Sequence, residues 1–387
     1  MRKQPERGQH LLWQASPLRA SLLHGSLSRL SRTVLVLVCA ALAACGQAKE
    51  GGQSLSSVQF DVSDGESAAS DFAWSPDGTR IAVLSRLLRR VSVFDAQTGK
   101  LLGRLTDLAG GASSVGFDAA GNVVCGPLDR PGDAATIWDV DRNTMRSLPG
   151  PAGPEAGLAS NMLYEFAIDQ KSNRLLGVYQ VPAGKGARMA LALYDLSTGA
   201  LLSQDGPSAM GLAMASGGSR AAFSGVTGQL DVLDTATGAI IQHIDANANS
   251  VAKVAFAPDG QIVATGSVNE GYGKDRRTGE YGELRDGDIL QIWNLADGRR
   301  IAAINGPVGV IRSIDFSKDG RRIAVSDGRG IVLVADWRDT SRTPQSFVPD
   351  KPQTVVARFS PDGGRLARLL TGTATLVIEN LAVTAAH

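Results

Sequence analysis

The amino-acid sequence predicts an all-β protein in which seven similar, four-stranded antiparallel sheets form a ring. Three observations predict it: a turn motif that recurs between residues 75 and 363, spacings of 42 to 60 residues between its copies, and a spare strand before the first copy. A period of this length with strand and turn content is typical of the blades of a β-propeller.

The recurring turn follows one apolar strand and precedes another. Pro and Gly supply the backbone angles that such a turn requires, and the alternation of side-chain polarity around it is that of strands. Four copies are clear and three weaker ones are recognised by their first residue: Trp74–Gly78, Phe256–Gly260, Phe316–Gly320 and Phe359–Gly363, then Phe117, Ile168 and Met214.

A third strand and a second turn follow in each copy. Val91–Asp95 and Leu191–Asp195 both precede a Thr-Gly pair, and Trp138-Asp139 and Trp293-Asn294 hold the same place in repeats two and five. These residues resemble the Trp-Asp ending of WD repeats. The resemblance covers about Ser57 to the end of the chain and implies a propeller of the WD-repeat type.

The last repeat ends before its fourth strand. Only eight residues follow Glu379, which corresponds to Asp95 of the first repeat, whereas Val58–Val62 alternates apolar and polar residues just ahead of repeat one. We therefore expect Val58–Val62 to complete the last sheet, which would close the ring at seven blades and leave no open edge there.

An export segment precedes the repeats. Thr33–Ala44 is an uncharged, mostly apolar run directly behind Arg29 and Arg32, which is the charge step and apolar core of a signal peptide. Its end, Leu42 to Gly46, resembles the lipobox of bacterial lipoproteins. The resemblance divides the chain into a signal peptide (1–44), a tether (45–56) and the propeller (57–387).

The lipobox resemblance implies lipidation of Cys45 after cleavage behind Ala44. Two or three acyl chains would hold the protein stably on a membrane. Gly46 rather than Asp follows the Cys, which in such lipoproteins favours the periplasmic face of the outer membrane in a Gram-negative host. An ordinary secreted protein cut nearby, or a cytosolic protein with an unusual leader, stays open as an alternative.

Charge and composition narrow the classes of function. The net charge of +1 combines +5 in residues 1–44 with −4 in the remainder, and a mildly acidic body argues against a nucleic-acid partner. The three Cys and four His are scattered, and no phosphate loop, Ser-His-Asp order or paired-His motif is present. We expect a monomer with no cofactor and no metal site.

The connections between second and third strands are enlarged in three repeats, at Pro127–Asp133, Val181–Arg188 and Val268–Arg285. These connections should emerge on one face, and long loops on a rigid scaffold are where binding usually occurs. Tyr and Arg often anchor protein interfaces; a solvated insertion without function is the alternative. The candidate partner-binding residues are Asn269, Tyr272, Lys274, Arg276, Arg277, Tyr281, Arg285, Lys185 and Arg188.

Two further positions attract a functional interpretation. Cys125 falls in a column of small apolar residues and is expected to pack in the core. Asp315 and Arg358 interrupt a column of otherwise small residues in the first strands of repeats six and seven. We expect them to form a structural ion pair between these blades; charges that line the axial channel are the alternative.

These observations favour a lipid-anchored envelope protein that acts as a non-enzymatic scaffold and binds a protein through one loop-rich face. Two other classes stay open by analogy of fold. One is a propeller enzyme, lactonase-like or linked to quinone or haem. The other is a sensor of a small ligand, which would need an apolar pocket under the long loops.

Overall fold

The computed structural model describes residues 57–62, 69–109, 113–128, 132–152, 160–183, 186–204, 211–225, 228–246, 251–267, 272–274, 281–283, 290–304, 310–339, 341–351 and 353–381. For residues 183, 186, 272–274 and 281–283 it describes the backbone. Cys45 and the rest of the predicted leader and tether lie outside these ranges.

The chain forms seven four-stranded antiparallel sheets, as the sequence predicts. In each sheet the strands follow one another from the innermost to the outermost. Blades 1 to 3 comprise β2 Asp71–Trp74, β3 Arg80–Ser85, β4 Arg90–Asp95 and β5 Leu101–Leu105; β6 Gly116–Phe117, β7 Val123–Cys125, β8 Asp133–Asp139 and β9 Thr144–Pro149; and β10 Glu165–Asp169, β11 Arg174–Ala183, β12 Gly186–Asp195 and β13 Leu201–Gln204.

Blades 4 to 6 follow the same plan, and blade 5 carries a separate two-stranded sheet, β20–β21, between its second and third strands. Their strands are β14 Leu212–Met214, β15 Arg220–Ser224, β16 Gln229–Asp234 and β17 Ile240–Asp245; β18 Val251–Phe256, β19 Ile262–Ser267, β20 Tyr272–Lys274, β21 Tyr281–Glu283, β22 Leu290–Asn294 and β23 Arg299–Ile304; and β24 Ser313–Phe316, β25 Arg322–Ser326, β26 Val332–Asp336 and β27 Gln345–Phe347.

Blade 7 takes its outer strand from the beginning of the described chain. Its strands are β28 Val355–Phe359, β29 Arg365–Leu370, β30 Thr375–Asn380 and β1 Ser57–Asp61. Strand β1 pairs antiparallel with β30, with Val58 opposite Ile378 and Phe60 opposite Leu376. The predicted closure by Val58–Val62 is thus confirmed, and with it the count of seven blades.

The Ser-Pro-Asp-Gly turn is held by its own side chains. Ser75 Oγ accepts a hydrogen bond from Arg80 N–H at 2.9 Å and donates one to Asp77 at 2.6 Å, while Gly78 has a φ of +70°. A residue with a Cβ is strained at such an angle. Ser317 and Ser360 make the same backbone contact in blades 6 and 7, which explains why the motif recurs.

The two ends of the ring differ in the connections that they carry. Turns from the first to the second strand and from the third to the outer strand lie at one end, which we call the turn face. Connections from the second to the third strand and from one blade to the next lie at the other, which we call the loop face. Ser57 lies on the turn face because it pairs with Glu379 at the end of β30.

The hydrophobic core lies between neighbouring blades. Each core cluster joins two adjacent sheets, and the cluster at the closing seam brings Phe72, Trp74 and Phe94 of blade 1 against Leu369 and Leu376 of blade 7. A ring that failed to close would expose the facing sides of blades 1 and 7. This would be costly, because burial of apolar side chains is the main favourable term in folding.

Two arginines of blades 6 and 7 each bind the next blade. Arg322 donates to Gly363 O at 2.8 Å and lies over the ring of Phe359. Arg365 repeats this contact across the closing seam, since it donates to Gly78 O at 2.8 Å and lies over Trp74. An arginine over an aromatic face adds a cation–π attraction to its hydrogen bond.

The closing strand also packs on blade 1 through a ring contact. Phe60 and Phe94 lie with their centroids 6.0 Å apart. Gly99, with a φ of +70°, faces Phe60 so closely that an added Cβ would lie 2.7 Å from Phe60 Cγ. Gly238 holds the same turn position in blade 4 at a φ of +73°, where an added Cβ would meet only Ser203 Oγ at 3.6 Å.

Gly99→Ala should therefore destabilise the protein more than Gly238→Ala. Both variants incur the backbone strain of a positive φ, about 1 kcal/mol, but only Gly99→Ala pushes Phe60 out of the seam, at a further cost of about 1–3 kcal/mol. Thermal or urea unfolding of the two variants measures the difference. Equal losses of stability would show that Phe60 does not fix the closing seam.

Candidate functional site

The predicted insertion in blade 3 is a hairpin. Val181 pairs with Arg188 and Ala183 with Gly186, so β11 and β12 stay paired without a break to Ala183 and Gly186 and are longer than the strands of the other blades. The sequence predicted an enlarged loop at Val181–Arg188, and Pro182 is a residue that disfavours a strand interior. The pairing of ten residues on each strand outweighs that local signal.

The predicted insertion in blade 5 contains the separate two-stranded sheet. Tyr272 pairs with Glu283 and Lys274 with Tyr281, so the backbone brings both tyrosines of the prediction onto one small hairpin. Arg188 is exposed on β12. Asn269, Arg276, Arg277, Arg285 and Lys185 lie outside the described residues, and their part in partner binding stays a prediction.

A third feature of the loop face was missed by the sequence analysis. The short turn between β3 and β4 exposes 83% of Leu87, beside the exposed Arg86 and Arg89. Arg89 adopts a positive φ of 51°, and its Nε donates to Leu108 O. The signal that could have identified it is a pair of leucines between arginines at a place where blades 4, 6 and 7 have short polar turns.

The first strands of all seven blades surround an axial cavity of about 640 Å³. Its wall carries charged side chains from several blades. Lys253 Nζ of blade 5 lies 3.0 Å from Glu165 Oε1 of blade 3, past the short β14 of blade 4. The cavity differs from the apolar pocket under the loops that a small-ligand sensor was expected to have.

Asp315 and Arg358 both line this cavity, but they do not bind each other directly. Arg358 Nη1 lies 2.8 Å from Asp71 Oδ1 of blade 1 and also donates to Phe72 O. The predicted ion pair between blades 6 and 7 was wrong in its partner: the guanidinium joins blade 7 to blade 1. In the sequence alignment of the repeats Arg358 corresponds to Ala73 of β2, and its long side chain reaches a carboxylate two residues before that position.

Asp315 instead accepts a backbone hydrogen bond from the next blade. Its Oδ2 lies 2.7 Å from Phe359 N. Burial raises the pKa of Asp315 from 3.8 to about 6, against the opposing effects of this hydrogen bond and of the positive charge on Arg358. A carboxyl with this pKa changes its charge in the mildly acidic range.

The same arrangement recurs around the cavity. The first strand of a blade has no neighbour on its inner side, so its backbone N–H groups need other acceptors. Asp71 accepts from Val115 N–H at 3.4 Å, Ser114 from Phe166 N–H at 3.2 Å, and Ser313 from Ala357 N–H at 3.0 Å. Polar side chains in the wall thus tie each of these blades to the next.

Cys125 lies fully buried on β7, as expected for a core position. Burial raises the pKa of its thiol to about 12, so the reactive thiolate is scarce at neutral pH. His243 lies on the outer strand β17, with Nδ1 2.5 Å from Asp231 Oδ1. Neither residue belongs to the wall of the axial cavity.

Neither a cluster of metal-binding side chains nor a membrane-spanning helix occurs in the described part of the chain. No group of three or more His, Cys, Asp or Glu side chains there is placed to hold a metal ion. No helix within those ranges is long and apolar enough to cross a membrane.

Comparison with known proteins supports the WD-repeat resemblance. The family model described as WD domain, G-beta repeat, matches residues 238–271, which run from the turn before β17 into the connection after β19. This supports a WD-repeat propeller for the chain. No curated protein matches it.

Solved structures match over nearly the whole ring. A chain of "Crystal Structure of Mitotic Checkpoint Complex" is similar with a TM-score of 0.64 and 18% identity, over 92% of this chain and 100% of that one. At this identity the likeness shows the fold alone. Such matches number 1762, as a widely used fold would give, and a fold so widely used specifies no single activity.

Replacing Asp315 with Asn should stabilise the protein at neutral pH but not in acid. Because the folded-state pKa is raised from 3.8 to about 6, the contribution of Asp315 is most favourable below pH 3.8 and is lost as the pH rises through 6. Asp315→Asn keeps an acceptor for Phe359 N–H and removes the charge. It should gain at most about 3 kcal/mol above pH 6, measured by unfolding at pH 4 and 7.5.

Asp195→Asn is the matched control, with the opposite sign. Hydrogen bonds from Thr198 N–H and Ser197 N–H lower the pKa of Asp195, so its contribution is present above pH 3.8 and is lost at lower pH. This variant should lose stability at pH 7.5. If the effect of Asp315→Asn on the free energy of unfolding does not change with pH, ionisation of Asp315 does not destabilise the folded protein.

Proposed function

We propose that this protein is a lipid-anchored scaffold of the bacterial envelope, which binds a protein partner through its loop face. The observation that carries the proposal is that the long connections of blades 3 and 5 emerge on one face, where blades 1, 4, 6 and 7 have short turns. The ring beneath them is closed and rigid, and binding segments on such scaffolds lose little conformational entropy on association.

The chemistry of the loop face supports a protein as the partner. It presents Leu87 and Val348, which are 83% and 67% exposed, together with Arg86 and Arg188. Arginine is enriched at the centres of protein interfaces, and the buried core of an interface is more apolar than its rim. The similar chain of the Mitotic Checkpoint Complex structure comes from a protein assembly by its printed name, which agrees with a binding role for this fold.

The anchor rests on the lipobox resemblance around Cys45 and on the position of Ser57. The twelve residues from Gly46 to Ser57 span at most about 40 Å, so a lipidated Cys45 would keep the ring close to the bilayer. In this proposal the protein is exported, and in a Gram-negative host it lies on the periplasmic face of the outer membrane.

Removing the blade-5 insertion should abolish partner binding and leave the fold intact. Gly266 pairs directly with Leu290, so replacing residues 268–289 by Asp-Gly leaves Ser267-Asp-Gly as a three-residue hairpin loop that keeps the register of the blade. Pull-down from crosslinked native membranes should lose the partner, while the melting temperature stays within about 5 °C because the deletion keeps the core residues Ala264, Leu290 and Ile292 on either side of it.

Charge reversals on the two faces provide the control for that deletion. Arg188→Glu on the loop face should weaken co-purification at least about tenfold, whereas Arg142→Glu on the turn face, at a guanidinium that is 80% exposed, should leave it unchanged. Undiminished pull-down by the well-folded deletion would remove the loop face from the proposal.

Cys45→Ala should release the protein from the membrane fraction, because one change removes the attachment site of every acyl chain. Fractionation of cells that express the wild type and the variant, followed by mass spectrometry of the amino-terminal peptide, measures this. Retention of the variant in the membrane, with an unmodified amino-terminal peptide in the wild type, would contradict lipid anchoring.

A further inference from the structure

The outer strands of the ring expose large aliphatic side chains at one level. Eight of the ten large hydrophobic residues that are exposed in the described part of the chain lie within the first three residues of an outer strand, next to the turn face. They come from blades 1 to 5 and from blade 7. These residues are Val58, Leu101, Leu102, Met145, Leu202, Ile240, Ile241 and Ile301.

Four of these side chains occupy the same structural position. In blades 1, 3, 4 and 5 the pairing between the third and outer strands shifts by one residue, which leaves one outer-strand residue without a partner. A β-bulge of this kind turns the extra residue away from the ladder. The unpaired residues, which we call the rim band, are Leu102, Leu202, Ile241 and Ile301, between 39% and 52% exposed.

The fold does not require aliphatic residues at the bulges. The bulge is a backbone feature, and a polar side chain at the same place would face water at lower cost. Single exposed hydrophobic residues scattered over a surface need no explanation, but residues that recur at the same position of several blades can all contact one flat partner at once. In blades 1, 3, 4 and 5 the four equivalent positions are all aliphatic, and each lies three residues after the glycine of the preceding turn, at the same level above the turn face.

The chain outside the structure indicates what lies below this level. Described residues begin at Ser57, which is on the turn face, and the predicted lipid attachment at Cys45 precedes it by only twelve residues. We propose that the rim band docks on the bilayer surface, with the turn face towards the membrane and the loop face away from it. The tethering to the membrane rests on the proposed lipid anchor at Cys45, whereas the rim band itself is a feature of the folded ring.

The turns beneath the rim band suit the headgroup region. In blades 3 and 4 the outer turn tips are uncharged, Ser197-Thr198-Gly199 and Ala236-Thr237-Gly238, whereas the inner turns carry exposed Asp77, Asp319 and Asp362, which would meet the choline groups of the headgroup region. The carboxylates behind the outer tips accept hydrogen bonds from the turns, as Asp234 does from Thr237 N–H at 2.8 Å. Interfacial segments enter a bilayer by about 5–10 Å, which is the depth that brings the rim band into contact with it.

Docking by a few half-exposed side chains is weak alone and becomes effective through the tether. A short linker holds the second contact at an effective concentration in the millimolar range, so modest partitioning of the rim band suffices to fix the orientation. The contact of the rim band with lipid must therefore be measured on a ring that is tethered to vesicles by a chemical link, so that the result does not depend on acylation in cells.

The chain from Cys45 onward is coupled through this thiol to maleimide lipid in vesicles of phosphatidylcholine and phosphatidylglycerol. Cys125 does not compete, because it is fully buried. A reporter tryptophan is placed by Leu202→Trp on the rim band or by Leu87→Trp on the loop face. The emission that each reporter adds to the parent is compared in vesicles with and without brominated phosphatidylcholine.

Brominated lipid should quench the Leu202→Trp reporter about twofold and leave the Leu87→Trp reporter within about 10%, since only the rim band reaches the interface. Leu102→Ser, Ile241→Ser and Ile301→Ser together should abolish the quenching at position 202. The matched change on the loop face, Leu87→Ser with Val348→Ser, should preserve it. Melting temperatures confirm that both sets of variants are folded.

No quenching at position 202, or equal quenching at both positions, would overturn the docking surface. Loss of a dimer in the triple serine variant, without quenching in the parent, would assign the rim band to a contact between copies and would overturn it as well. Because the coupling is chemical, the docking can fail while Cys45 proves to be lipidated in cells, or hold while it does not. The two proposals therefore fail separately.

Discussion

The pairing of β1 with β30 is the contact on which the ring depends. Every sheet buries its two faces against its neighbours, so an open ring would expose the inner faces of blades 1 and 7. The closing seam is reinforced by three contacts that cross it: Phe60 with Phe94, Arg365 with Gly78 O, and Arg358 with Asp71. Strand pairing, aromatic packing and charge thus act at the same junction, where the first and last described strands meet.

The polar wall of the axial cavity is explained by the inner edges of the sheets. An edge strand leaves backbone N–H groups without a strand partner, and here Asp71, Ser114, Ser313 and Asp315 accept hydrogen bonds from the following blade. Charges in a propeller channel invite a catalytic interpretation. In this ring they have structural partners, and the raised pKa of Asp315 is the consequence of placing such an acceptor in a buried position.

The architecture could be predicted from the sequence because it depends on local repetition. The turns, the core position of Cys125 and the closing strand all follow from period and alternation, and the structure confirms them. The partner of Arg358 could not be predicted in this way, because Asp71 is 287 residues away and lies two residues from the aligned column. The blade-3 hairpin was likewise missed. Proline disfavours a strand interior, but the long pairing of β11 with β12 continues past Pro182. For the rim band, the bulges that expose it are visible only in the register of paired strands.

Two faces of one ring can serve two surfaces without competition. The strand that closes the ring begins on the turn face, so in the proposed anchored state the tether leads directly into the closing seam. A load on the tether would then act on β1, whose side chain Phe60 is held against Gly99 and Phe94 of blade 1. Docking of the rim band would take part of that load from the seam. The loop face lies at the other ends of the same strands. It would face away from the bilayer and stay accessible to a partner in the same compartment.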